Sequence, residues 1–234
     1  MEDIRIAICD DEKIAREHLK RMVENILIQK ELAGDITSYC SGVELINSDL
    51  SFDILFLDIE MPDLDGIDIG KILCDRNSKC KIVMATGRVE RFKEAFMIEA
   101  YRFVTKPFDE LEIEEVIETY LIQQIGLSKI VVYDKRIKYQ FVQKQIEYVR
   151  AYNGYSELLI QDNVYRVEES LNSLEQSLDS RCFVRVNKEY CVNLFFVSDY
   201  HLGKLYIEGK ELLVSRRRKK AFEKKIMEFG INYR

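Results

Sequence analysis

No two of the six cysteines stand in a CxxC pair, and no long uncharged apolar run occurs in the 234 residues. Nothing at the start resembles a secretory leader. The cysteines therefore read as scattered, reduced thiols, and a cytoplasmic location is expected. The missing apolar run argues against a helix that crosses a membrane. A disordered chain is excluded by composition, since 47% hydrophobic residues can bury real cores and 32% charged residues keep the chain soluble.

The net charge of −6 hides an asymmetry. Residues 1–124 carry 15 Lys+Arg against 27 Asp+Glu, a balance of −12, whereas residues 125–234 carry 20 against 14, a balance of +6. An acidic module joined to a basic one points to two domains, of which the second meets a polyanion. A merely solvated basic face is the plainer alternative.

In the acidic half, short apolar runs end abruptly in polar residues. Ile4 to Cys9 precedes Asp10 and Asp11, Phe52 to Leu57 precedes Asp58, residues 80–86 end in Thr86, and residues 101–108 contain Lys106 and Pro107. With "ITSY" at 36–39 these runs predict five strands, and the stretches between them repeat apolar residues at helical spacing. The pattern predicts an α/β fold, a doubly wound, mostly parallel five-stranded sheet with helices on both faces.

In such a sheet ligands bind at the carboxyl edge of the strands, so Asp10, Asp11, Asp58, Thr86 and Lys106 converge. Clustered carboxylates repel one another unless a cation joins them, and an oxygen-rich set suits Mg²⁺. A lysine and a hydroxyl beside them would bind the outer oxygens of a phosphoryl group. The chemistry is phosphoryl transfer onto or off a carboxylate, and the residues alone leave a Mg²⁺-dependent phosphohydrolase or another phosphotransferase open.

Asp10-Asp11, Asp58 with Met61-Pro62 and Asp65-Gly66, Thr86, and Lys106-Pro107-Phe108 together resemble the receiver domain of bacterial two-component response regulators, flavodoxin-like in fold. The resemblance implies that Asp58 accepts phosphate from a sensor histidine kinase. It implies that Asp11, Asp58 and the Glu60 carbonyl bind Mg²⁺, with Asp10 assisting in the ion's shell. Lys106 then pairs with phosphoryl oxygens, Thr86 moves toward them, the Phe103 ring turns inward, and the Lys106–Pro107 bond is cis. Phosphorylation is expected to favour a dimer. Gly87 stands where this family most often has alanine; lacking a Cβ, it either opens space near the phosphoryl site or lets the chain turn into the next helix.

A last receiver helix is expected over about Asp109 to Gln124, and a short linker over 125–129. From 130 to 234 the chain is β-branched and aromatic, with turn signals between short runs, so a mainly β domain is predicted, with helices only near 167–181 and at the C-terminal end. In "RCFVRVNKEYCVNLFF", residues 181–196, alternation places Val184 and Val186 on one side of a strand and Arg185 and Asn187 on the other. Lys188 follows at a turn. Arg185 and Lys188, with the basic run that begins Arg216-Arg217-Arg218, are candidates for neutralising phosphates and reading bases.

"SLNSLEQSL", "FVRVNKEYCVNL" and "GKELLVSRRRKK" resemble the LytTR DNA-binding domain, so that the whole chain resembles the LytR/AlgR family of response regulators. This implies a phosphorylation-regulated transcription factor whose loops enter double-stranded DNA at promoter direct repeats. Ser156, Asn187, Lys188 and Arg217 fall at or near contact positions of that family, although Asn187-Lys188-Glu189 departs from its usual residues. A protein-interaction or RNA-binding regulator is the alternative.

Overall fold

A computed structural model describes residues 3–48, 51–62, 64–76, 79–95, 98–134 and 136–233. Its contacts divide the chain into two units, Met1–Thr119 and Tyr120–Arg234.

The first unit alternates strands and helices: β1 (Ile4–Cys9), α1 (Lys13–Gln29), β2 (Gly34–Tyr39), α2 (Gly42–Ile46), β3 (Ile54–Asp58), α3 (Gly66–Asp75), β4 (Lys81–Thr86), α4 (Phe92–Ala95) and β5 (Arg102–Thr105). Helix α5 (Glu110–Gln123) begins in this unit and crosses the division. The strands form one parallel sheet in the order β2-β1-β3-β4-β5. All five residues of β3 are buried, as a central strand covered on both faces requires. Leu19, Val23, Ile26 and Leu27 form the buried stripe of α1. Asp65 caps α3 by accepting the Ile67 N–H at 2.9 Å. The strand order reverses at β1 and β3, which sets the crevice for a ligand at their carboxyl ends.

The second unit contains β6 (Lys129–Asp134), β7 (Ile137–Val142), β8 (Tyr148–Ala151), β9 (Ser156–Ile160), β10 (Asn163–Val167), α6 (Leu171–Ser177), β11 (Phe183–Arg185), β12 (Tyr190–Asn193), β13 (Val197–His201), β14 (Lys204–Ile207), β15 (Lys210–Leu213) and α7 (Arg216–Tyr233). Antiparallel pairing gives a five-stranded sheet ordered β10-β9-β8-β12-β11, a three-stranded sheet β13-β14-β15 and the hairpin β6-β7. Val149, Leu158 and Val192 from the large sheet share one core with Leu171 and Leu174 of α6 and with Phe222 and Phe229 of α7.

Residues 125–129, expected to act as a linker, are bonded into this unit. Ile125 is buried in its core, Gly126 N–H donates to Asp179 Oδ2 at 2.9 Å, and Lys144 N–H donates to Gly126 O at 2.7 Å. A positive φ of 69° makes glycine the suitable residue at 126.

Candidate functional site

In the first unit the sheet register fixes the site. Because β3 pairs with β1 on one side and β4 on the other, Asp10 after β1, Asp58 at the end of β3 and Thr86 at the end of β4 come side by side. Lys106 follows β5 immediately and completes the row. Asp10, Asp11 and Asp58 each offer a carboxylate oxygen within 4.8 Å of the others. Asp10 and Asp58 are buried and Asp11 is exposed.

Lys106 Nζ donates to Asp58 Oδ2 at 2.7 Å and lies 2.8 Å from Asp10 Oδ2. The second approach is an ion pair without hydrogen-bond alignment, so the buried Asp10 Oδ2 has no hydrogen bond. Its other oxygen accepts the Glu12 N–H at 2.9 Å, which fixes the carboxylate's orientation. Burial raises the Asp58 pKa above the usual carboxylate value, against the opposing pull of Lys106. Burial works to lower the Lys106 pKa, but its pairing with the Asp10 and Asp58 carboxylates outweighs that and raises it. One cation thus serves two buried carboxylates, with a third at the rim. Three clustered carboxylates, two of which share one ammonium group, form an oxygen donor set that fits a hard divalent ion such as Mg²⁺.

Around this centre, Glu60 N–H reaches Asp58 Oδ1 at 3.4 Å, while its side chain pairs with Arg88 Nε at 2.9 Å. The buried Thr86 hydroxyl accepts the Arg88 N–H at 3.1 Å. Phe103 is half-buried against the core that contains Met84. The Lys106–Pro107 peptide is cis. The two glycines near the site differ in kind. A Cβ on Gly66 would meet the Asp58 carbonyl oxygen at 2.0 Å, whereas one on Gly87 would meet nothing within 4 Å. Gly66 is required by close packing; Gly87 is not.

In the second unit, hydrogen bonds gather several turns at one edge. Ala151 N–H donates to Glu189 O at 2.7 Å, Ser215 N–H to Val186 O at 2.9 Å, and Asn187 Nδ2 to Leu213 O at 2.8 Å. The turns after β8, β11 and β15 are therefore neighbours. Lys188, Arg216 and Arg217 are exposed there, and Arg218 is half-buried. The first turn of α7 holds no acid, so these arginines stand at the positive end of the helix dipole, an arrangement that costs stability unless an anion joins it.

The remaining candidates are engaged inside the fold. Arg185, with a side chain 9% exposed, donates to Asn187 O, Lys188 O and Asn172 Oδ1 and pairs with Glu175 at 3.0 Å. Asn187 Oδ1 accepts the N–H groups of Glu189 and Tyr190. Ser156 is fully buried and donates to Glu169 O at 2.8 Å.

A ladder of cations and tyrosines was not singled out from the sequence. Tyr152 and Tyr155 stack at 4.9 Å with rings 4° apart, Arg150 lies 4.7 Å from the Tyr152 ring centre, Arg166 lies 4.0 Å from that of Tyr155, and Lys210 lies 4.8 Å from those of Tyr148 and Tyr190. The alternation Tyr148, Arg150, Tyr152 along and just past β8 is its sequence signal.

Residues 6–118 match the response regulator receiver domain, and residues 137–227 match the LytTr DNA-binding domain. The sensory transduction protein LytT of Bacillus subtilis is 27% identical over 242 residues, covering 94% of this chain and 98% of the relative. The transcriptional regulatory protein LytR of Staphylococcus aureus is 24% identical over 209 residues, covering 81% and 83%. The positive alginate biosynthesis regulatory protein of Pseudomonas aeruginosa is 32% identical over 115 residues, covering 49% and 46%. The receiver match falls on the first unit and the LytTr match on the second, and the chain belongs to the LytR/AlgR family of two-component response regulators, a receiver domain followed by a LytTR DNA-binding domain.

Proposed function

We propose that Asp58 accepts a phosphoryl group from a partner histidine kinase and that its modification controls binding of the second unit to double-stranded DNA. The observation that carries this reading is the shared clasp of Lys106 on Asp58 and Asp10, with Asp11 inside the same 4.8 Å set. An Asp58 oxygen attacks phosphorus as the P–N bond to the kinase imidazole breaks, and the imidazole leaves with the bonding electron pair. Asp10, Asp11, Asp58 and the Glu60 carbonyl would hold Mg²⁺, which supplies positive charge for the phosphoryl oxygens when bound.

Lys106 supplies a second positive charge from within the fold. Once Asp58 is esterified, Lys106 exchanges a carboxylate partner for phosphoryl oxygens. Thr86 is one strand away and turns its hydroxyl toward them, leaving the Arg88 N–H it now accepts. The half-buried Phe103 follows on the neighbouring strand. This shift favours a dimer, and two LytTR units then occupy direct repeats in a promoter with the advantage of high effective concentration. The protein acts in the cytoplasm as a regulator rather than as a turnover enzyme.

Beryllofluoride with Mg²⁺ tests the whole chain. It is expected to increase the dimer fraction in sedimentation and to sharpen the motif selected from random duplexes, and Asp58→Asn is expected to abolish both effects. An Asp58→Asn protein that still responds would refute the assignment.

A further inference from the structure

Three two-residue turns of the second unit place both residues in the left-handed region: Gln161-Asp162 (φ 48° and 64°), Leu202-Gly203 (52° and 84°) and Glu208-Gly209 (44° and 73°). Such turns favour glycine, asparagine and aspartate. Gln161 and Glu208 are at least polar, and the Gln161 N–H is held by Glu147 Oε1 at 3.0 Å. Leu202 has neither justification. It is apolar, conformationally strained and 81% exposed, so neither backbone preference nor burial accounts for it.

Its position supplies the missing reason. Val214 N–H donates to Gly203 O at 2.9 Å, and the Leu213 carbonyl next to it accepts Asn187 Nδ2 at 2.8 Å. These bonds place the β13–β14 turn on the same edge as Lys188, Arg216 and Arg217. An exposed leucine on an edge that also presents exposed cations matches a ligand that is anionic outside and apolar within. Duplex DNA has that character, with phosphates flanking thymine methyl groups and base faces.

We infer that Leu202 makes an apolar contact with the bases of bound duplex DNA while neighbouring cations hold the phosphates. The inference rests on the DNA reading above and adds a contact that carries no charge.

The test uses the full chain and a duplex recovered by selection with the wild-type protein. Leu202→Asn suits a left-handed φ better than leucine, so its melting temperature is expected to hold or rise while its affinity falls roughly tenfold, the scale of one lost base contact. The slope of log affinity against log salt stays unchanged, because no phosphate contact is lost; Lys188→Ala lowers that slope by about 0.9. Leu202→Gly provides a second variant compatible with the turn. Replacing thymine by uracil reproduces the loss if Leu202 meets a methyl group, whereas loss of protein-induced bending in end-to-end energy transfer identifies a wedge between base steps. Wild-type affinity and motif in both variants would overturn the inference and leave DNA binding intact. Failure of the wild-type protein to select any duplex overturns both.

Discussion

Arg185 and Lys188 are three residues apart in one basic stretch, yet the first is bonded within the fold and the second is exposed. Arg185→Ala removes bonds to two carbonyls of the Asn187–Lys188 turn, to Asn172 and to Glu175. A hydrogen bond from a charged donor contributes about 1.5–3 kcal/mol, but Glu175 is 39% exposed and regains water, so the total loss is about 2–3 kcal/mol rather than the sum. For a unit of this size that lowers the second domain's melting temperature by roughly 10 °C. Lysine at 185 cannot reproduce the planar fork and rescues little. Lys188→Ala, by contrast, leaves the melting curve within about a degree of wild type, because an exposed side chain is removed, and it lowers the salt slope of DNA binding by about 0.9. Thermal unfolding and binding titrations at several salt concentrations, made on the same full-length variants, separate the two roles. The reasoning is refuted if Arg185→Ala melts like wild type while its salt slope falls as a phosphate contact's would.

Four further outcomes follow from the geometry. Asp58→Asn raises the receiver's melting temperature at pH 7, because burial disfavours the ionised carboxylate; an acid whose folded pKa is raised contributes stability that is fully present below its unfolded value of 3.8 and is lost as pH rises through the folded value, so the difference closes on acidification, and a gap that widens toward low pH would contradict this. Added Mg²⁺ acts in the opposite direction by stabilising the wild type, by about 2.7 kcal/mol at a hundredfold excess over Kd. Gly66→Ala disrupts the site, since its Cβ must displace the Asp58 carbonyl, while Gly87→Ala is neutral or up to about 1 kcal/mol stabilising; equal losses in denaturant melts would exclude the packing argument. Alkylation followed by mass spectrometry finds Cys40 and Cys74 reactive in the native protein and Cys9, Cys182 and Cys191 protected, burial having pushed the last three thiols up to about 12.

The receiver was legible because its information is local and repeated. The apolar run Ile4 to Cys9 coincides with β1, and Asp58, expected at the end of its strand, is the last residue of β3. Once the sheet is parallel, strand ends must meet, so the convergence of Asp10, Asp58, Thr86 and Lys106 follows from topology. The second unit was less transparent because its polar partners are non-local. Strand alternation placed Arg185 opposite the valines, but nothing in residues 181–196 announces that Asn172 and Glu175 of α6 lie across from it. Ser156 likewise looks available beside a turn, and only the pairing of β9 with β10 shows why its hydroxyl reaches Glu169 O. Residues 125–129 look like a linker until Asp179, more than fifty residues on, accepts the Gly126 N–H.

The same contrast divides the basic residues into those bonded within the fold and those left exposed. Cations that hold the fold face carboxylates or carbonyls inside it: Arg185 with Glu175, and Arg181 with Asp179 at 2.8 Å, where burial would raise the acid's pKa but the arginine and backbone N–H groups hold it down. Cations offered outward lack that economy. Arg216 and Arg217 are exposed at the helix end where positive charge is least welcome, and Lys188 crowns a turn whose shape Asn187 and Arg185 already secure. A fold selected for stability alone would reverse these charges. Their cost is recovered when an anion arrives, so neutralising Arg216 and Arg217 together is expected to stabilise the free protein by about 0.5–1 kcal/mol while weakening its hold on DNA. Chemical denaturation without DNA checks the first half of that statement and salt-dependent binding the second; a double variant less stable than wild type would show that the arginines serve the fold after all.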